Sequence, residues 1–293
     1  MIVDIVMPYY GDADLMRAAV RSVLAQDDPH WRLTVVDDGT VAGVPEWFAG
    51  LGDDRVRYLR NEHNLGVTGN FNKCLDLLEH EVAVLMGCDD LLRPNYVRTV
   101  LAVYADHPDA GIVQPGVQVI DEHGAPTRTL VDTAKRFAYA PKVRGRRVLA
   151  GEELAVSLLR GDWLYFPSLC WRTEALKSVR FRADLRVIQD LALLIELVLR
   201  GERLVVDDTL GFNYRRHGAS ESSATALDGS RFTEATTFFL DTARTMDEHG
   251  WRHAARVSRW HVSSRVFALT LLPQALRQRG SGAVPALLRH ALG

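Results

Sequence analysis

Asp89 and Asp90 stand side by side at the end of the apolar run Val82-Ala83-Val84-Leu85-Met86 and just before Leu91-Leu92-Arg93-Pro94. Two adjacent carboxylates at the carboxyl end of a buried strand repel each other, and each loses water. A divalent cation relieves both penalties. Hard ions such as Mg2+ favour carboxylate oxygens and keep open positions for substrate phosphates. The pair therefore points to metal-assisted chemistry on a phosphorylated substrate. The plainer reading is a turn in which both aspartates cap the next segment. A second acidic pair, Asp37-Asp38, closes another apolar run, Leu33-Thr34-Val35-Val36, and is followed by Gly39.

Such residues need elements that bring them together. Val3-Asp4-Ile5-Val6-Met7 reads as a strand ending at Pro8-Tyr9-Tyr10-Gly11-Asp12. Leu15, Ala19, Val20, Val23 and Leu24 then recur on one helical face. Leu33 to Val36 is a second buried strand and Val56-Arg57-Tyr58-Leu59 a third. The loop Asn61-Glu62-His63-Asn64-Leu65-Gly66 and a helix over about 68–78 precede the Asp89-Asp90 strand. This alternation predicts an α/β domain whose central sheet is mostly parallel, with its site at the carboxyl edge. Asp38 and Asp90 would converge there. Further on, Asp106-His107-Pro108-Asp109 breaks a helix. Strands are expected at 112–114, 117–120 and 169–171, and the basic stretch 125–148 reads as a loop. Helical segments are expected at 151–159, 174–178 and 190–200, the last ended by Gly201. The tail over about 232–292 reads as helical.

Six segments together resemble a family 2 glycosyltransferase of the GT-A fold. They are Val6-Met7-Pro8-Tyr9-Tyr10, Val36-Asp37-Asp38-Gly39, Asn64-Leu65-Gly66-Val67, Cys88-Asp89-Asp90-Leu91-Leu92-Arg93-Pro94, Ile188-Gln189-Asp190-Leu191 and Tyr214-Arg215-Arg216-His217. Each is short, but their order and spacing over about residues 3–220 are specific. The resemblance implies a single GT-A-type catalytic domain with a C-terminal helical extension. Residues 1–105 would form the nucleotide-sugar-binding half, 106–220 the acceptor-binding half and 221–293 the extension.

The resemblance also implies roles. Asp90 would ligate a divalent metal, Mn2+ or Mg2+, with Asp89 completing its shell or touching the donor ribose and His217 reaching the metal or the diphosphate. Asp38 would accept from the nucleobase, with Tyr10 stacking on the ring and Pro8 fixing the turn that presents it. Asn64 and Gly66 belong to the same donor-binding set. Asp190 would be the general base for inverting transfer. The sequence departs from the family pattern at Gly87, where an Asp is common, at Gln189, where a Glu is usual, and at Asn70-Phe71-Asn72. There the basic residue expected to face the diphosphate is absent, and Lys73 either substitutes or is solvated.

Composition agrees. The 293 residues are 47% hydrophobic and 25% charged with a net charge of −2, which gives no reason to expect nucleic acid as a partner. Three scattered cysteines show no metal spacing and suit a reducing cytoplasm. The chain opens directly on a strand, so no signal peptide is expected. No run approaches the ~20 apolar residues of a membrane span. The tail mixes arginines with Trp260, Val266, Phe267 and several leucines. It would cap the core, pair with a second copy as a homodimer, or lie on the inner face of a membrane. The donor would be a UDP-, dTDP- or GDP-linked sugar, and the acceptor a carbohydrate, a lipid-linked glycan or a small molecule. Two other classes are a sugar-nucleotide-forming nucleotidyltransferase and a non-catalytic sugar-nucleotide-binding protein. The first usually carries a Gly-rich phosphate loop where this chain has Pro8-Tyr9-Tyr10-Gly11.

Overall fold

The computed structural model describes residues 1–39, 41–128, 133, 138–216, 230–277 and 283–292. Strands β1 (Val3–Tyr9), β2 (Trp31–Asp37), β3 (Val56–Arg60) and β4 (Val82–Leu85) form a parallel block in the order β3-β2-β1-β4. Five more strands extend it: β5 (Leu91–Leu92), β6 (Ile112–Ile120), β7 (Arg146–Leu149), β8 (Cys170–Arg172) and β9 (Leu204–Arg215). The sheet continues β4-β8-β6-β9-β5, with β7 also on β9. β6 and β9 run in the direction of β1 to β4, whereas β5, β7 and β8 run against it.

Both faces of the sheet are covered, which is why its strands read as apolar runs rather than alternations. Val3, Ile5, Met7 and Tyr9 of β1 face helices α1 (Ala13–Leu24), α2 (Val44–Ala49) and α4 (Tyr96–Asp106). Val6 and Val36 point the other way, toward α3 (Gly66–Asp76), α5 (Gly151–Arg160) and α7 (Gln189–Leu199). Asp12 caps α1 by accepting from Asp14 N and Leu15 N. Between α5 and α7 lies α6 (Thr173–Val179).

Two expectations need refinement. The strands expected at 112–114 and 117–120 are one strand, β6, whose ladder with β9 shifts register around Gly116. Pro115 has no N–H to donate, so it interrupts pairing without ending the strand. A side chain at Gly116 would stand 2.8 Å from Asp208 O, so the two backbones meet there. The stretch 125–148, expected to be a loop, ends in β7. Arg146 anchors that strand by donating to Asp207 across the pair at 2.8 Å and by pairing with Asp106.

The tail is helical as expected: α8 (Ser230–Glu248), α9 (Arg252–Trp260), α10 (Val262–Arg277) and α11 (Ala283–Leu292). Phe232, Ala268, Ala275 and Leu287 form its own small core. Glu152 of α5 ties the tail to the catalytic domain by accepting from His253 N and Ala254 N at the start of α9.

Candidate active site

Because β1, β2 and β4 are parallel neighbours, Tyr10, Asp38 and Asp89-Asp90 all emerge at one edge of the sheet. Pro8 pairs in register with Val36, one residue before β1 ends at Tyr9 opposite Asp37. Of the two tyrosines that follow, Tyr9 is buried, donates its hydroxyl to Gly11 O at 3.0 Å, and has its pKa pushed up to about 12, mainly by burial. Tyr10 is 70% exposed, so it does not pack in the core beneath α1. Its ring lies beside Gly39, where an added Cβ would meet it at 3.7 Å.

Asp37 and Asp38 do different work. Asp37 is fully buried and accepts from Gly39 N at 2.8 Å and from Tyr58 OH at 2.5 Å. Asp38 organises the loop before α3. Its carboxylate accepts from Asn61 Nδ2 at 2.7 Å, from Leu65 N at 2.8 Å and from Gly66 N at 2.9 Å. Three donors leave room for one more, since a carboxylate has about four acceptor positions. Asn64 tightens the same loop, donating to Asp38 O and accepting from Gly66 N, each at 2.9 Å. Gly66 sits at φ 69, in the left-handed region a glycine takes without strain. Lys73 reaches from α3 to Asn61 Oδ1 at 2.6 Å, and Asn61 also donates to the buried Asn70. Lys73 is therefore engaged in this polar relay rather than simply solvated.

The second acidic pair follows β4. Asp90 is 1% exposed, and its Oδ1 accepts from Arg215 N at 2.8 Å. The half-buried Asp89 holds Arg215 through its backbone, its carbonyl accepting from Arg215 Nε at 2.7 Å. Arg215 also donates to Asp121 O and Glu122 O, so one guanidinium ties the acidic turn to the loop after β6. Burial, and then the Asp89 charge, push the Asp90 carboxyl well above the usual carboxylate range.

Gly87 explains how the two acids come together. A Cβ built there would lie 2.6 Å from Asp90 Oδ2 and 3.0 Å from Asp89 Oδ1. The missing side chain leaves a cradle into which one oxygen of each carboxylate points. That donor set fits a hard divalent cation. Among the described residues no group of three or more His, Cys, Asp or Glu side chains gathers as a metal site. Remaining ligands would come from the substrate or from His217, which lies outside the described residues.

Asp190 is the second residue of α7 and not its N-cap; Ile188 holds that position. Asp190 Oδ1 accepts from the following Leu191 N at 2.7 Å. Thr68 of α3 donates to Gln189 Oε1 at 3.1 Å, which sets the start of α7 beside the start of the helix that Asp38 organises. From the tail, Glu234 accepts from Arg186 N, Val187 N and Ile188 N, each at 2.9 Å. One carboxylate thus satisfies the orphan donors leading into α7. The half-buried Arg231 stands close by, its charge favoured by Asp190, Glu234 and Asp162 against the burial that lowers its pKa.

Residues 4–158 match the glycosyl transferase family 2 model. The chain belongs to glycosyl transferase family 2. Curated relatives agree with this family placement. The chain is 26% identical over 226 residues to the succinoglycan biosynthesis protein ExoO of Rhizobium meliloti (strain 1021), an alignment covering 77% of this chain and 64% of ExoO. It is 23% identical over 140 residues to the putative teichuronic acid biosynthesis glycosyltransferase TuaG of Bacillus subtilis (strain 168), covering 47% of this chain and 55% of TuaG. Among solved structures, S. aureus TarS 1-349 in complex with UDP-GlcNAc superposes with a TM-score of 0.70 at 16% identity, covering 99% of this chain and 82% of that one. The mannosyltransferase PcManGT from Pyrobaculum calidifontis, in complex with GDP-Man and Mn2+, gives 0.59 at 17% identity, covering 98% and 78%. These likenesses confirm a mixed α/β GT-A fold with C-terminal helices.

Three residues that hold this arrangement together are not singled out by the sequence. Asn61 links Asp38 to Lys73, Arg215 fastens the acidic turn, and Glu234 fastens the start of α7. Arg215 lies within the Tyr214-Arg215-Arg216-His217 segment, so its neighbourhood carries a signal. Asn61 opens a recognisable loop. Glu234 sits in an ordinary helical stretch with no motif around it.

Proposed function

We propose that this glycosyltransferase moves a sugar from a nucleoside-diphosphate donor to an acceptor hydroxyl by direct, inverting displacement, in the assembly of a polysaccharide or related glycan. The convergence of Asp89 and Asp90 over Gly87, at the sheet edge that also presents Tyr10 and Asp38, carries this reading. The names of ExoO and TuaG support the polysaccharide context. The ligands of TarS and PcManGT support a nucleotide sugar as donor, with UDP-, dTDP- and GDP-linked sugars the candidates.

In this reading Tyr10 stacks on the nucleobase while Asp38 accepts from it with its remaining acceptor position. The loop from Asn61 to Gly66, with Pro8 and Asn64, fixes the walls of that pocket. Lys73, held by Asn61, keeps further N–H groups to turn toward phosphate oxygens. Asp89 and Asp90, with His217, would hold Mn2+ or Mg2+. That ion, when bound, offsets the negative charge gathering on the leaving diphosphate. Asp190 takes the proton from the acceptor hydroxyl as it attacks the anomeric carbon. One base and one displacement invert the configuration and need no covalent intermediate.

A thermal-shift panel of uridine, thymidine and guanosine diphosphates, each with and without Mn2+, tests the donor assignment. One base should raise the melting temperature, and only when the cation is present, because selective binding to the native state stabilises it. Absence of any cation-dependent shift across the three would reject the reading. Pyrophosphate release from a sugar 1-phosphate and a nucleoside triphosphate would point instead to nucleotidyl transfer.

A further inference from the structure

Residues 249–293 contain seven arginines and neither aspartate nor glutamate. The chain has 35 basic and 37 acidic residues, so residues 1–248 hold 28 basic against 37 acidic, a charge of −9, while the tail carries +7. The tail also presents an apolar surface. On α10, Val262, Val266, Leu269, Pro273 and Leu276 are exposed and follow one another at intervals of four, three, four and three residues. That spacing places them on a single face. Ala268 and Ala275, on the opposite side, pack into the tail's own core. Trp260, 60% exposed at the end of α9, extends the apolar stripe. A groove of about 380 Å³ lined by Arg160, His253, Arg256, Trp260 and Val262 joins the start of the stripe to cations.

We propose that α9 and α10 seat the enzyme on an anionic lipid surface. Trp260, Val262, Val266, Leu269 and Leu276 enter the boundary between headgroups and acyl chains, and Arg252 and Arg256 face the anionic headgroups. Exposed apolar residues flanked by arginines are what such a surface attracts. Among the described residues no helix is long and apolar enough to cross a membrane, so contact from one side is the geometry on offer. A second copy of the chain fits the stripe poorly. Two such tails, each with seven arginines and no acid of its own over residues 249–293, would bring like charges together, and Pro273 interrupts regular helix-to-helix packing. The negative catalytic domain is repelled by the same surface, which orients the molecule with its tail down.

This inference is independent of the sugar chemistry and is tested without it. Purified full-length protein is floated with vesicles of phosphatidylcholine alone and with phosphatidylglycerol added, at low and high salt. Binding should require the anionic lipid and fall as salt rises. Each arginine near the surface is worth roughly a fivefold factor in partitioning, so R252E combined with R256E should weaken binding roughly 30-fold or more. V266D with L269D should abolish it, while the far-UV circular dichroism melt stays near wild type because both sites are exposed. Equal binding to neutral and anionic vesicles, or unchanged binding by either double variant, would overturn the proposal. So would absence of vesicle binding by a protein that is dimeric in solution and made monomeric by V266D with L269D; that result would assign the stripe to a second copy.

Discussion

Replacing Asp90 by Asn should make the cation-free protein more stable and at the same time remove its response to donor. Asp90 Oδ2 and Asp89 Oδ1 both lie within 3.0 Å of the vacant Gly87 Cβ position, so they are at most about 6 Å apart. Two unit charges at that distance repel by about 3 kcal/mol at an effective dielectric constant of 20. Asp89 is half-buried, and solvent screens part of this, leaving roughly 1–2 kcal/mol. An amide keeps an oxygen for Arg215 N–H and drops the charge. The melting temperature of D90N in EDTA should therefore rise by about 2–4 °C. The pH dependence carries the same sign. Because the folded-state pKa of Asp90 is raised, the folded protein binds that proton more tightly than the unfolded chain. The associated stability is fully present below about pH 4 and is lost as pH rises through the folded pKa. D90N should lack this decline. Scanning calorimetry of both proteins, first with EDTA across pH and then with Mn2+ and nucleoside diphosphate, measures each effect. At one hundred times its dissociation constant the ligand pair should stabilise wild type by about 2.7 kcal/mol and D90N by almost nothing. A cation-free D90N that melts below wild type, or one that keeps the full ligand-dependent gain, would refute the cradle.

Other positions give separable signatures. Asp38→Ala strands the N–H groups of Leu65 and Gly66 and should cost about 2–4 kcal/mol in urea unfolding along with donor affinity, since a buried unsatisfied group costs 1–3 kcal/mol; unchanged stability would deny its hold on the loop. Asp190→Asn should slow transfer 10²–10⁴-fold with donor affinity near wild type, measured by initial rates beside donor titration, and a normal rate would demote it to a structural residue. Glu234→Ala frees the three donors ahead of α7 and should lower kcat on the order of 10²-fold, as misplacement by about 1 Å does, while leaving donor KM alone; Glu234→Gln should recover part of the loss, and a change confined to donor KM would contradict a role in positioning Asp190.

The parallel half of the fold is legible in the sequence for a physical reason. A strand buried on both faces must be apolar throughout, so Val3 to Met7, Leu33 to Val36 and Val82 to Met86 announce themselves, and the helices between them carry a 3.6-residue period. The acids at the ends of these runs then have few places to be. The other half is less legible. β8 falls where a strand is expected at 169–171, but its three residues give no sign of direction: it runs antiparallel between β4 and β6 and turns the sheet into a mixed one. β9 is not among the strands expected from the sequence, and Asp207-Asp208-Thr209 breaks its apolar run. Asp207 is tolerated inside a strand because Arg146 from β7 and Thr209 N bind it. Apart from the family resemblance, which singles out Asp38, nothing in residue type or period separates Asp37 from Asp38. The two residues are chemically identical, and burial beneath Tyr58 makes one structural while the other turns to the loop. Glu234 acts 46 residues away from Ile188, and only the packing of α8 against the start of α7 reveals it.

Gly87 leads to the last prediction. A third carboxylate at that position would have to enter the space already taken by Asp89 and Asp90, because even a Cβ stands 2.6 Å from Asp90 Oδ2. Among the described residues the cradle would then offer two carboxylates, with His217 as a further candidate ligand, to an ion that favours about six oxygens in octahedral geometry. The donor diphosphate would supply part of the remainder. A cation alone should then bind weakly, and the diphosphate should strengthen it. By linkage the cation must strengthen diphosphate binding by the same factor. A coupling of 1–3 kcal/mol, or roughly 5–150-fold, is the typical size of such an effect. Calorimetric titration of Mn2+ into the free protein and into the protein saturated with nucleoside diphosphate gives one side of the cycle, and diphosphate titrated with and without Mn2+ gives the other. The metal–nucleotide affinity in solution is subtracted from both. Gly87→Ala should erase the coupling, since the added methyl occupies the cradle. Tight cation binding without nucleotide, or full coupling in Gly87→Ala, would show that the two carboxylates do not share an ion.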